Sequence, residues 1–185
     1  MKFPRLQYFS ALFTLSGLFL LVDSSAEARI GESQNELERR LLNAGGIVYR
    51  DDIIESSRRR SMPYLKYMDF MPDSTEVRIY YKTIDGRKPK SSDMEEKRVH
   101  PGWDIHVVYV RGISVLEVYK RSQPMTDPEM KLLLATLAQG SYWKKVDSKR
   151  SQESGEKAPP SAFGYDIERS DGKIRGKMAG QNMVM

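Results

Sequence analysis

The segment from Trp103 to Lys120 constrains the fold of this chain more than any other. Trp103 to Val110 and Ile113 to Lys120 are two runs rich in β-branched and aromatic residues, separated by Arg111-Gly112. Two residues between such runs make a tight hairpin, with arginine an unusual choice at the first central position. If Val110 pairs with Ile113, alternation puts Trp103, Ile105, Val107 and Tyr109 on one face with Leu116 and Val118. Asp104 and His106 then lie on the other face with Glu117 and Tyr119. The first face is core. The second is apolar near the turn, through Val108, Val110, Ile113 and Val115, and polar toward the far end, so partial cover is expected there.

Two helices are written in capping chemistry. Ser33 with Glu36 forms a capping box ahead of Leu37, Leu41 and Leu42, and Gly45 permits a left-handed exit, which predicts a helix from about Gln34 to Ala44. Thr126 with Glu129 forms a second box. Pro128 sits inside the first turn, where its missing N–H costs nothing, and Met130, Leu133, Leu134 and Leu137 follow at helical spacing up to Gly140. Tyr142 and Trp143 then anchor the return of the chain by packing.

Between these landmarks, Arg58-Arg59-Arg60 falls in a connector. Tyr64 to Phe70, after Pro63, and Val77 to Tyr81, after the Pro72-Asp73-Ser74 turn, read as an antiparallel pair. Asp85 to Gly102 is a long polar excursion, functional or merely disordered. Residues 147–161 are rich in Ser, Lys, Glu, Gly and Pro and read as a flexible linker. Phe163 to Ile167 and Lys173 to Met178 flank Ser170-Asp171-Gly172 as a C-terminal hairpin, and Gly180 to Met185 is a tail that either adds an edge strand or frays. The expected class is α+β: an antiparallel meander sheet packed against two short amphipathic helices, with a flexible linker and a C-terminal hairpin.

The first 28 residues carry a different signal. Lys2 and Arg5 precede an apolar run from Phe9 to Val22, and Ala26-Glu27-Ala28 offers small side chains at the two positions a signal peptidase inspects. The run is shorter than the ~20 apolar residues a membrane span needs. The expected organisation is a signal peptide at 1–28, an α+β domain at 29–146, the linker at 147–161 and the hairpin and tail at 162–185. The expected location is periplasmic or secreted, with membrane contact only during export. The chain has no cysteine, so the domain must hold together on its core alone, and a lipid anchor on an N-terminal cysteine is excluded.

The formal charge of +5 survives loss of the leader, which removes two cations and two anions. Basic residues gather at Arg58-Arg59-Arg60, at Lys144-Lys145 with Lys149-Arg150, and around Lys173, Arg175 and Lys177. These clusters suit an anionic surface, although interspersed acids and the lack of an aromatic-rich motif also fit solvated loops, and no specific nucleic-acid recognition is expected.

Catalytic motifs are scarce. There is no thiol, no Gly-x-Ser-x-Gly elbow, no phosphate-binding glycine loop and no His-Glu-x-x-His helix, and histidine occurs only at His100 and His106. The one constellation with metal-ligand chemistry is Asp104, His106 and Glu117, which the simple register sets together on one face. The same three groups also make an ordinary cross-strand cluster. No cofactor and no catalytic residue is assigned.

Ala28-Arg29-Ile30-Gly31-Glu32-Ser33 at the cleavage site, the capped helix from Thr126, Gly140-Ser141-Tyr142-Trp143 and Arg169-Ser170-Asp171-Gly172 resemble a family of small, exported, uncharacterised bacterial proteins. That resemblance implies export and an α+β fold. At the level of fold, a glycine-led capped helix before an antiparallel meander is similar to small outer-membrane assembly lipoproteins, whose lipidated cysteine this chain lacks. The expected function is non-enzymatic binding of a protein or an envelope surface, with Arg58, Arg59, Arg60, Val108, Val110, Ile113 and Val115 as candidate interaction residues. The alternatives are a small metal-dependent hydrolase centred on His106 and a nonspecific polyanion binder.

Overall fold

The computed structural model describes residues 30–93, 102–121, 123–146, 164–179 and 182–185. The leader, the whole linker at 147–161 and part of the excursion before Gly102 lie outside the described residues.

The central hairpin forms as its residues dictate. Strands β3 (Gly102–Val110) and β4 (Ile113–Arg121) are joined by Arg111 and Gly112, with φ of 52° and 76°. Positive φ at both central positions is the turn type whose twist matches the strands it joins. The pairing begins Val110 to Ile113 and Tyr109 to Ser114, and then slips, so that Val108 faces Leu116, Val107 faces Glu117 and His106 faces Val118. Val115 is the extra residue of a β-bulge. Because side chains alternate with period 2, that single insertion turns every later residue of β4 to the face opposite the one a straight count gives it.

Strand β2 (Thr75–Thr83) lies on the other side of β3, in register from Thr75–Val110 to Thr83–Gly102, and the two-residue β1 (Ile47–Val48) closes that edge. The remaining strands are β5 (Trp143–Lys145), β6 (Ile167–Arg169), β7 (Arg175–Ala179) and β8 (Asn182–Val184). Together they make one eight-stranded antiparallel sheet in the order β1-β2-β3-β4-β8-β7-β6-β5.

The tail is thus neither an edge strand nor frayed. It is an interior strand that joins the C-terminal hairpin to the main sheet. Met183, Val184 and Met185 are buried, and Met185 exchanges two backbone hydrogen bonds with Glu117, at 2.8 and 3.0 Å. Gly176 on β7 makes the fit possible, since a Cβ there would meet Met185 Sδ at 2.6 Å.

Helices α1 (Gln34–Asn43) and α3 (Asp127–Ala138) cover one face, and both capping boxes form as expected. Leu37 and Leu41 of α1 and Leu133 and Leu137 of α3 meet Tyr80, Ile105, Val107, Tyr109, Tyr119, Ile174 and Met183 in the main core. Polar groups stitch the layers. Trp143 Nε1 donates to the Leu134 carbonyl at 2.7 Å, and Arg169 donates to the Leu137 carbonyl at 3.2 Å, which satisfies a carbonyl at the end of α3. Trp143 anchors the chain as expected, whereas Tyr142 is exposed.

The second face differs from its expectation in two places. Arg58 and Arg59 lie in a helix, α2 (Asp52–Arg59), and not in a connector. Residues 65–70 form a 3-10 helix, and not a strand, with Tyr67 N–H donating to the Tyr64 carbonyl and Met71 N–H to the Met68 carbonyl. The apolar letters of this run are anchors for a covering layer: Met62 and Tyr64 are buried against Val77, Val108, Leu116, Val118 and Val184, with Met68 packed beside them. β2 therefore takes β3 as its partner, in place of the segment before it.

Candidate functional site

The second face decides what the sequence-derived constellation can do. Asp104 and His106 project from β3 beneath α2 and the 3-10 helix, and both are buried, His106 completely. Tyr49 Oη donates to Asp104 Oδ1 at 3.0 Å, and Arg58 Nη1 donates to Asp104 Oδ2 at 3.0 Å, its guanidinium lying 5.5 Å from the Tyr49 ring centre. Tyr64 Oη and His106 Nδ1 are 2.6 Å apart. His106 Nε2 has no hydrogen-bond partner among the described residues.

Glu117 is not part of this group. The bulge at Val115 sends it to the α1/α3 face, where Tyr119 Oη donates to its Oε2 at 2.7 Å. The expected grouping of Asp104, His106 and Glu117 on one face is corrected, and with it the grouping of Leu116 and Val118 with the main core. Among the described residues no group of three His, Asp or Glu side chains is placed to hold a metal ion.

Electrostatics follow burial. Burial, with Lys120, Arg59 and Arg58 adding to it, drives the His106 imidazole down to about 3, so it is neutral in the fold. Burial pushes the Asp104 carboxyl up, against the opposing pull of Arg58 and Tyr49. The sign for His106 is fixed. An unfolded histidine binds a proton near pH 6.5 and the folded one does not until about pH 3, so the stability it permits is complete above pH 6.5 and declines across that window as pH falls. His106→Phe, which keeps the volume and removes the titration, is expected to flatten the acid limb of the stability curve between pH 6 and pH 4. Urea midpoints of both proteins across that range check it, and parallel curves would contradict it.

The candidate interaction residues divide. Arg58 is bonded to Asp104, and Arg59 Nη2 donates to the Val77 carbonyl at 2.7 Å, so both hold α2 to the sheet. Arg60 is exposed. Val108 is fully buried and Val110 half-buried, whereas Ile113 and Val115 are 42% and 47% exposed. This face is covered in part: Asp104, His106 and Val108 are buried, whereas Ile113 and Val115 beside the turn are exposed.

A different surface emerges from pairings the sequence does not announce. Lys144 pairs with Glu168 and Glu168 with Arg175, so β5, β6 and β7 bring Lys144 onto the same face as Arg175. Lys177, opposite Val184, lies on the same face, and Lys173 precedes it by two strand repeats. This is the continuation of the α2 side of the sheet, and among the described residues the apolar contacts of α2 and the 3-10 helix are with β1 to β4 and Val184. Arg175 Nε donates to Glu168 Oε1 at 2.9 Å, and its guanidinium lies 4.5 Å from the Tyr165 ring centre. Lys173 N–H donates to Asp171 Oδ1 at 3.1 Å, and neither Lys173 nor Lys177 makes a side-chain salt bridge among the described residues.

The chain matches no protein-family model, no curated protein and no solved structure. No helix among the described residues is long and apolar enough to cross a membrane.

Proposed function

We propose that this protein is an exported, non-catalytic binding domain that uses the open, cation-bearing half of its sheet to recognise an anionic partner in the cell envelope. The observation that carries the reading is the register Lys144–Glu168–Arg175, which brings cations more than 30 positions apart onto one face on either side of Glu168. Such a patch attracts anionic partners over a Debye length and fixes their orientation at contact. The leader motif at residues 1–28 supports export, and the resemblance to small exported bacterial proteins agrees with it. The non-catalytic part of the reading is supported by the burial of Asp104 and His106, with the Asp104 carboxylate turned to Tyr49 and Arg58 and His106 Nδ1 to Tyr64.

Two measurements test it. Amino-terminal sequencing of the protein recovered from the envelope fraction is expected to begin at Arg29, and a chain intact at Met1 in the cytosol would overturn the export reading. Retention on a heparin matrix is expected to need at least twofold less salt for release after Lys144→Glu with Lys177→Glu, because exposed charges bind through screened, salt-sensitive attraction. Unchanged retention would remove the patch from consideration.

A further inference from the structure

The cation-bearing face is not flat, and its shape narrows the class of partner. β8 ends where Met185 meets Glu117, and the next paired segment along β4 is Gly31–Glu32, bonded to Ser114 at 2.9 Å. Between them a cleft of about 450 Å³ opens toward the uncovered side. One wall is apolar and consists of Val115, Leu116 and Val184. The other is basic and consists of Lys173, Arg175 and Lys177, with Tyr165 under the arginine.

We propose that this cleft binds an extended acidic peptide segment of a partner protein, with apolar side chains on the Val115 wall and carboxylates on the Lys173 and Lys177 side. The inference rests on the binding function proposed above. Three features favour a peptide. Arg175 and Lys177 repeat along one strand face at about 6.8 Å, the same interval at which an extended peptide presents every second side chain, so one acid meets Lys177 while the next competes with Glu168 for Arg175. The volume lies in the range of natural ligand clefts. The β-bulge that displaced Glu117 is also what leaves Val115 exposed at 47%, facing the basic strand across the cleft, and an apolar wall gives a peptide contacts that a planar headgroup layer would not reach.

The experiment uses the chain as purified after expression with its own leader, and fluorescein-labelled octapeptides read by anisotropy. An alternating Glu-Val peptide is expected to bind at least tenfold more tightly than an alternating Lys-Val peptide, and more tightly than a peptide of four Glu followed by four Val. Lys173→Glu with Lys177→Glu, and separately Val115→Asp, are each expected to weaken it at least tenfold, while Lys66→Glu on the 3-10 helix changes it less than twofold. Unchanged thermal midpoints establish that the exposed-site variants fold. Equal binding of the alternating and block peptides, or indifference to Val115→Asp, overturns the proposal in favour of undirected attraction. Binding to phosphatidylglycerol vesicles without binding to the alternating peptide overturns the peptide assignment and leaves the anionic-partner reading standing. Loss of both, with unchanged heparin retention on charge reversal, brings down the two together.

Discussion

Met183→Asp is expected to unfold the protein at ambient temperature. Met183 is 1% exposed, lies in the main core and pairs with Tyr119 on one side and Met178 on the other. Truncating a buried methionine costs about 2–5 kcal/mol through lost transfer energy and the cavity left behind. An unpaired carboxylate in the same place adds a desolvation penalty of several kcal/mol. The sum exceeds or approaches the 5–15 kcal/mol that typical domains hold in reserve. The position of β8 enlarges the effect, because β4 and β7 have no other bridge in the sheet: loss of β8 uncovers two strand edges at once and detaches β5 to β7. Circular dichroism and urea titration of Met183→Asp and Met183→Leu check this. The leucine variant, close in volume, is expected to stay within about 1.5 kcal/mol of the parent. A cooperative, near-parental transition for the aspartate variant would mean that the C-terminal strand is dispensable.

Arg58→Ala is the second large effect, with an expected loss of about 3–5 kcal/mol, the range for breaking a buried pair by removing one partner. The substitution leaves Asp104, whose side chain is 6% exposed, without its hydrogen-bonded cation, with Tyr49 and the cross-strand Lys120 left to stabilise its charge. Arg58→Met with Asp104→Leu is expected to recover most of the loss, since an apolar pair of similar volume no longer has a charge to solvate. Chemical unfolding of the single and double variants completes a thermodynamic cycle whose coupling is expected to exceed 1.5 kcal/mol, at the upper end for residues in contact. Additive losses would mean that the contact is incidental and that α2 is held by Ile54 and the Arg59–Val77 hydrogen bond.

These two positions also mark the limit of what local pattern conveys. The helices α1 and α3 are legible because their signals are local: Ser33 with Glu36, Thr126 with Glu129, and leucines at helical spacing all act within a turn or two. Helix α2 has a cap as well, Asp51, whose Oδ1 accepts from Ile53 and Ile54 N–H, but no apolar stripe. It buries no residue completely, and it is attached by Arg58 to Asp104 and by Arg59 to Val77, contacts that reach across 46 and 18 residues. The reverse holds for residues 64–70, where alternating aromatic and polar letters suggest a strand, yet the backbone follows three buried or half-buried anchors into a 3-10 turn.

The candidate site was lost and found through one residue. With Val110 against Ile113, a straight count puts Glu117 beside His106; the bulge at Val115 puts Val118 there. Neither the Arg111-Gly112 turn nor the alternation reveals the slip, because both are satisfied on each side of it. The same slip leaves Val115 at the mouth of the cleft between β4 and β7. The basic cluster of residues 173–177 and the lysines at 144 and 145 are visible in the sequence as separate groups. Their union depends on β5 pairing with β6 and β6 with β7.

What the amino-acid sequence determined by itself is the set of elements whose causes lie within a few residues: the Arg111-Gly112 hairpin, the two capped helices and an α+β architecture built without cysteine. What only the tertiary structure decided is which edges and faces meet: the insertion of Asn182–Val184 between β4 and β7, the burial of Asp104 and His106 under α2, and the joining of Lys144 with Arg175 on one open face. The physical reason is one of range. Caps, turns and helical stripes are enforced by neighbours along the chain, whereas strand order and register are chosen by the burial of whole faces, and a single inserted residue reverses every side chain beyond it.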